Sequence, residues 1–383
     1  CIISTDQVAM SRFFNARLLL LCLLLGLSLG AWAEPLRVDA LPPEWKAGQF
    51  TQVLREPDTP LPLAEAVALF EQGQGAPGDA PILTFGIGGA PVWLKLPLNN
   101  PTDRIIPVRV ITGITWIDQL ELWLQQSGET LAYWQGGDIH AGARDLIPGI
   151  GFVASLQIPP GHSELYVRAE SPDPMVLPIE VLTEEAFAAR QLEYRFVYGL
   201  IYGFLLSMIV YNSMLFIGMR NSGYLIYSAY LSLFTLLNLT YTGHGFAWFW
   251  PGNPVLQNHV ILVSMVLFGC LGLVFANSFL ALSRHAPRSF FWLQALASLG
   301  IGALGLSLLM GRQDIEALVA FSFTLVAPLS MVLVGLLALK QHRLAGQIYL
   351  AATVVGMLGL VISTLTAWGK IPFNGWTYGA IKI

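Results

Sequence analysis

From residue 221 to residue 283 the sequence contains no Asp, Glu, Lys or Arg. A water-soluble domain has no need of such a run. A transmembrane helix needs about 20 apolar residues, so these 63 positions hold two spans and the turn between them. Charge is scarce throughout, with 11% of residues charged and 55% apolar, outside the usual soluble balance. Cysteine is scarcer still. Cys1 and Cys22 fall in a leader and Cys270 in an apolar run, which leaves no pair for a structural disulfide or a metal cage. P-loop, H-E-x-x-H, G-x-S-x-G and Cys/His metal spacings are all missing, so no catalytic residue and no cofactor is expected. Gly86-Ile87-Gly88-Gly89 precedes no helical pattern and reads as a hairpin turn, not a phosphate loop.

The charge that is present is unevenly placed. Between residues 34 and 195, 21 acidic side chains face 10 basic ones, a net of −11; from 196 onward 2 face 8, a net of +6; the leader's +1 completes the −4 of the chain. An acidic front half is joined to a slightly basic, membrane-embedded back half, and no basic surface for nucleic acid emerges. Residues 1–33 read as a leader and signal peptide. Residues 1–9 look like upstream translation, because Met10 opens an export signal with Arg12 and Arg17 before the apolar stretch 18–29. Ala31-Trp32-Ala33 is the cleavage signal, with Glu34 the expected mature start and an uncleaved anchor helix the alternative.

Residues 34–182 have the texture of an all-β domain. Val92, Leu94, Leu96 and Leu98 alternate with Trp93, Lys95 and Pro97; Leu120, Leu122 and Leu124 alternate with Glu121, Trp123 and Gln125; Leu165, Val167 and Ala169 alternate with Tyr166, Arg168 and Glu170. Period two with one apolar face predicts half-buried strands. Shorter runs lie at 82–85, 105–112, 152–158 and 177–182, separated by Asn, Gly and Pro turns. About eight strands in this length predict a β-sandwich or jelly roll, interrupted by one helix over 63–72. Residues 183–195 form a linker helix, with Thr183 as N-cap and Glu184 and Glu185 at the positive end of its dipole.

Residues 196–383 form a transmembrane bundle. Spans are expected at 196–217, 223–241, 255–279, 290–310, 317–339 and 345–368, and a seventh would begin near Gly375, cut off at Ile383. With the β-domain outside, the inner loops carry Arg220, Arg284, Arg288, Lys340 and Arg343, against Arg312 and Lys370 outside. This agrees with the positive-inside rule and puts the aromatic stretch 246–250 at the outer interface, beneath the β-domain. The turn it belongs to, 243–254, is the expected docking surface between the halves.

The expected spans hold no carboxylate, Lys or Arg, which argues against ion-coupled transport. Their polar residues Tyr211, Asn212, Asn238, Asn277, Thr364 and Thr366 suit interhelical hydrogen bonds, with Tyr211 and Asn212 open to a second role in a bistable relay contact. His244, Asn258 and His259 are expected in the outer loop, where two His make a weak metal motif. In the β-domain Trp93, Trp116, Trp123, Tyr133 and Trp134 suit either a core or a platform for sugar rings. The acidic balance allows a cation site such as one for Ca²⁺ at Asp118, Asp138 and Asp145, although no EF-hand spacing accompanies them.

Several segments together resemble the bacterial seven-transmembrane receptors with diverse intracellular signalling modules. They are Pro91-Val92-Trp93-Leu94-Lys95-Leu96-Pro97-Leu98-Asn99-Asn100, Trp116-Ile117-Asp118-Gln119-Leu120-Glu121-Leu122, Gly136-Gly137-Asp138 and Pro160-Gly161-His162-Ser163-Glu164-Leu165-Tyr166-Val167-Arg168 in the front half. The back half adds Tyr198-Gly199, Tyr211-Asn212, Tyr224-Leu225-Ile226-Tyr227, Gly243-His244-Gly245 and Phe275-Ala276-Asn277-Ser278-Phe279-Leu280. The front half is similar to the family's type 2 extracellular domain, a jelly roll. The resemblance implies an inner-membrane receptor whose periplasmic domain binds a small molecule, a carbohydrate or a cation. Its helices, spanning the lipid bilayer, would relay that state to a cytoplasmic diguanylate cyclase, histidine kinase or phosphatase absent from these residues. Trp93, Trp116, Trp123, Asp118 and Asp138 are the ligand-site candidates, and Tyr211, Asn212 and His244 the relay candidates. A homodimer is implied by the output classes alone. The rivals are a transporter or channel accessory protein and a glycan-binding envelope protein that does not signal.

Overall fold

A computed structural model describes residues 35–367 and 371, apart from 42–45, 58, 87, 140–145, 174, 252 and 340–342. The expected leader, Asp145 and the expected seventh helix lie outside the described residues.

The front half is a β-sandwich. Its first sheet runs β3 (Ala76–Pro77), β2 (Gln52–Arg55), β5 (Val92–Asn100), β11 (Gly161–Glu170), β7 (Gln119–Gln126), β8 (Glu129–Gly136), with β1 (Leu36–Arg37) parallel to β5. The second runs β13 (Ile179–Thr183), β6 (Ile106–Thr112), β10 (Gly151–Ile158), β9 (Leu146–Ile147), and β4 (Leu83–Gly86) pairs β12 (Met175–Leu177) separately. The alternation seen in the sequence is realised in register: Leu94 sits opposite Val167, and Val167 opposite Leu122. These side chains meet Val108, Val110, Phe152, Ala154 and Val181 of the second sheet in one buried cluster. Of the β7–β8 hairpin, alternation marks β7 alone. The hairpin's signal is the two-residue loop Ser127-Gly128, both at positive φ (53° and 83°), the type I′ geometry that matches strand twist.

The outer face of the first sheet is not open to solvent at its centre. Helix α1 (Leu63–Glu71) lies there, and Ala66 and Phe70 close over Trp93 and Tyr166. Beneath it Glu56 is buried. It accepts hydrogen bonds from Trp93 Nε1 (3.0 Å), the Leu61 N–H (2.9 Å) and Arg168 Nε and Nη2 (3.0 and 2.8 Å). Burial pulls the Glu56 carboxyl upward, but the Arg168, Leu61 and Trp93 bonds outweigh it and hold the group below the usual range.

Among the described residues eight further helices follow: α2 (Glu184–Met219), α3 (Ser222–Tyr241), α4 (His244–Trp248), α5 (Pro254–Phe279), α6 (Leu282–His285), α7 (Pro287–Met310), α8 (Gln313–Ala338) and α9 (Arg343–Ala367). Five of them, α2, α5, α7, α8 and α9, are long and apolar enough to cross a membrane. Of the six expected spans, the one over 223–241 forms the 20-residue α3, but its Ser, Thr, Asn and Tyr content keeps it out of that group. The linker over 183–195 and the first span are one unbroken helix of 36 residues. At 1.5 Å per residue it is about 54 Å long, against a hydrocarbon core of about 30 Å, so its first turns stand clear of the membrane. Thr183 caps it as expected, its hydroxyl accepting from the Ala186 N–H at 3.2 Å.

One expectation about the spans needs correction. Helix α8 starts at Gln313, four residues before the expected span, and takes Glu316 into the bundle, where its side chain is 1% exposed. His259, expected in a loop, lies in α5 and its Nδ1 is 2.7 Å from Glu316 Oε2. The spans therefore do contain a buried carboxylate, in the first turn of α8.

Candidate functional site

The two halves meet through two structures. One is the start of α2. Phe187 packs on Ile111, Val153 and Leu182, the outer face of the second sheet. Arg109 Nε donates to Glu184 at 2.8 Å, and Arg190 pairs with Glu180.

The other is the connection from α3 to α5, which enters the sandwich. Phe246 is 2% exposed and belongs to the same buried cluster as Val110, Phe152 and Leu120; Trp116 and Trp250 pack against that cluster. The backbone is fastened on both sides. The Gly149 N–H donates to the Thr242 carbonyl at 2.8 Å, and the Thr115 hydroxyl donates to the Tyr241 carbonyl at 2.8 Å. Trp116 lies with its ring 4.8 Å from that of Tyr241. Gly149 is at φ +80°, and a Cβ there would collide with the Tyr198 ring, so both the left-handed backbone and the close approach require glycine. On the far side Trp250 Nε1 donates to Gln257 Oε1 of α5 at 2.9 Å.

His244 stands at the centre of this seam, 5% exposed. Its ring lies 4.8 Å from Tyr198, 5.2 Å from Tyr202 and 4.8 Å from Trp248. The Thr242 hydroxyl donates its one proton to the Asn238 carbonyl at 2.7 Å. It is therefore an acceptor for Nδ1–H of His244 at 2.7 Å and for the Tyr202 hydroxyl at 2.8 Å. This chain runs from β-domain backbone through Thr242 to the first two long helices.

The other relay candidates are not part of it. Asn212 is buried, but its side chain donates to the Met208 carbonyl of its own helix at 2.8 Å, and Tyr211 points to the exposed side of α2. Asn238 likewise bonds back to the Phe234 carbonyl, at 3.0 Å. Contacts that do bridge α2 and α3 are Ser213 to Ser228, 2.7 Å apart, and the Ser228 hydroxyl donating to the Ile209 carbonyl at 3.1 Å.

The ligand candidates fall into three places. Trp93 is 1% exposed and stacks on Trp123 at 5.1 Å, with Tyr133 5.3 Å beyond; α1 closes over Trp93, and only the Trp123–Tyr133 end of the stack is accessible. Trp116 is committed to the seam. Asp118 and Asp138 do come together, joined by Asp173, which the sequence did not single out. Asp138 is 4% exposed and its Oδ1 has no hydrogen-bond partner among the described residues. Burial, with the charges of Asp118 and Asp173, pushes its pKa to about 8. Burial and Asp118 push Asp173 to about 6, and burial raises Asp118 despite the hydrogen bond it accepts from the Ser171 hydroxyl. Gly137, at φ +126°, makes the turn that delivers Asp138, where a Cβ would collide with the Asp118 carbonyl. Among the described residues no group of three or more His, Cys, Asp or Glu is disposed to hold a metal ion.

Phe246 is the seam residue most hidden in the sequence, since its aromatic neighbours mark it for the membrane interface. Trp248 and Phe249 are exposed, at 60% and 65%, and fit that reading; Phe246 does not.

Comparison with known protein families gives two matches, in the order of the two halves. Residues 48–183 match the model described as 7TMR-DISM extracellular 2, and residues 194–383 match 7TM diverse intracellular signalling. No curated protein matches the chain. The two matches cover the sandwich apart from β1 and the long helices apart from the start of α2, and the chain belongs to the family of seven-transmembrane receptors with diverse intracellular signalling modules, with an extracellular sensing domain ahead of its membrane helices.

Proposed function

We propose that the chain is the sensing and relaying part of a bacterial inner-membrane receptor. Its periplasmic β-domain takes a small ligand, and its helices pass the result to a cytoplasmic diguanylate cyclase or histidine kinase. The observation that supports this best is the entry of Phe246 into the sandwich core, because a change in sandwich packing then has a direct mechanical path to α3 and α5. A ligand shifts such a system only by its differential affinity for the two arrangements. The coding sequence beyond Ile383 tests the output: a cyclase or kinase module supports the proposal, and a stop soon after a seventh helix contradicts it. Inserting two Gly within 184–195 is expected to reduce the ligand response by the share that α2 carries beside the α3–α5 path; an undiminished response removes α2 from the relay.

For the ligand, the carboxyls of Asp118, Asp138 and Asp173, which are not disposed to hold a metal ion among the described residues, favour an organic ammonium species over a neutral sugar. A bound cation displaces the proton that burial keeps on Asp138. Thermal shift of the whole chain with CaCl₂, amino acids and sugars, at pH 5 and pH 8.5, distinguishes the classes. A cation stabilises the chain more at the higher pH. A neutral sugar acting at both pH values alike sinks the cationic reading.

A further inference from the structure

The seam holds a cavity of about 120 Å³ lined by Ile147, Pro148, Ile150, Gln191, Arg195, His244 and Trp248. Drug-sized ligands occupy pockets of about 300–1,000 Å³, so this one suits a small head group. One wall is apolar and comes from the β9–β10 turn. The other is polar: Gln191 and Arg195 sit one turn apart on α2, the spacing at which side chains on a helix are neighbours. Neither side chain has a hydrogen-bond or ion-pair partner among the described residues. Guanidinium and amide together present donors suited to phosphate or carboxylate oxygens.

The cavity's depth points to where that anion comes from. Arg195 is the last charged residue of α2 before the helix turns apolar, and the side chains that follow, Phe196, Leu200 and Phe204, are exposed large hydrophobics. Trp248, on the opposite wall, is itself exposed, and Trp favours the membrane–water interface. A free anion would have to approach through the field of a domain carrying a net of −11 between residues 34 and 195. A lipid head group is delivered in the plane of the membrane instead. We infer that the seam cavity takes the phosphate of an outer-leaflet phospholipid, held by Arg195 and Gln191, so that a lipid wedges between the β-domain and the helices. The inference rests on the seam and the membrane spans, not on the proposed output, so either can fail without the other.

The test uses the full chain in detergent, stripped of lipid and titrated with dioleoylphosphatidylglycerol while bound lipid is counted by native mass spectrometry. Arg195→Gln is expected to weaken the tightest binding event by about tenfold, as losing one charge-assisted hydrogen bond would. Arg195→Lys keeps most of the affinity, and Arg220→Gln, at the other end of α2, leaves it unchanged. Dioleoylglycerol, without phosphate, fails to bind at this site, and glycerol phosphate fails to displace the lipid. Wild-type affinity in Arg195→Gln, or equal weakening in Arg220→Gln, overturns the site. Glycerol phosphate binding as tightly as the lipid overturns the membrane source.

Discussion

Helix α2 meets the outside of the β-domain through ion pairs and packed rings, whereas the α3–α5 connection enters its core. At α2 the contacts are Arg109–Glu184, Arg190–Glu180 and the packed rings of Phe187, on the outside of a sheet, and Tyr198, against Gly149. At the second junction Phe246 sits inside the sandwich, flanked by Trp116 and Trp250, with backbone hydrogen bonds from Gly149 and Thr115 on either side. Arg109–Glu184 is a part-exposed pair of the kind that contributes about 0–1 kcal/mol, Arg190–Glu180 is largely buried and Phe187 covers only the outside of a sheet, whereas Phe246 is enclosed within the sandwich core and contributes several times a surface pair. The covalent link is therefore the softer joint. The halves are held in fixed relation by the connection that the chain order does not advertise.

Several substitutions bear on this contrast. The largest effect is expected from Phe246→Ala, which empties a ring-sized space in the core and should cost about 3–5 kcal/mol, read as a lower melting temperature of the β-domain in the full chain. Arg168→Ala provides a comparison far from the seam. It strands Glu56 as a buried charge and should also cost about 3–5 kcal/mol, but without loosening the α3–α5 connection. Hydrogen exchange at residues 239–250 separates the two: faster in Phe246→Ala, unchanged in Arg168→Ala.

A third effect is pH dependence. The folded Asp138 holds its proton up to about pH 8, whereas the unfolded carboxyl, near its ordinary 3.8, has released it. Between those values the folded state binds more protons, so this group's contribution to stability falls as pH rises from about 4 to about 8 and is level above that. Asp138→Asn should flatten that part of the profile. The smallest effect is expected from Glu184→Gln, which removes a half-exposed partner of Arg109 and should change stability by about 1 kcal/mol or less. A loss as large as that of Phe246→Ala would reverse the ranking of the two joints.

The sequence made the sandwich legible because alternation is local: Val92 to Leu98 and Leu165 to Ala169 declare their faces without reference to any partner strand. Thr183 was legible as a cap for the same reason, since an N-cap bonds within its own turn. What lay hidden depends on long-range placement. Trp93 and Trp123 alternate out of the core, yet whether that face is open depends on α1, some 20 to 60 residues earlier in the chain. Asp173 joins Asp118 and Asp138 only once β7 and β11 are paired. Glu316 was missed because the apolar pattern begins just after it, while the helix begins before it. Phe246, in a row of aromatics, carries no local mark that distinguishes a core ring from interfacial ones.

The most direct measurement compares melting of the β-domain in three proteins: the full chain, the full chain with Phe246→Ala, and the segment 35–190 alone. The segment lacks both Phe246 and Trp250. If the helical half completes the sandwich core, the segment and the Phe246→Ala chain both melt well below the full chain, the segment lowest. Equal melting of all three would contradict the claim that the α3–α5 connection is the joint between sensor and helices.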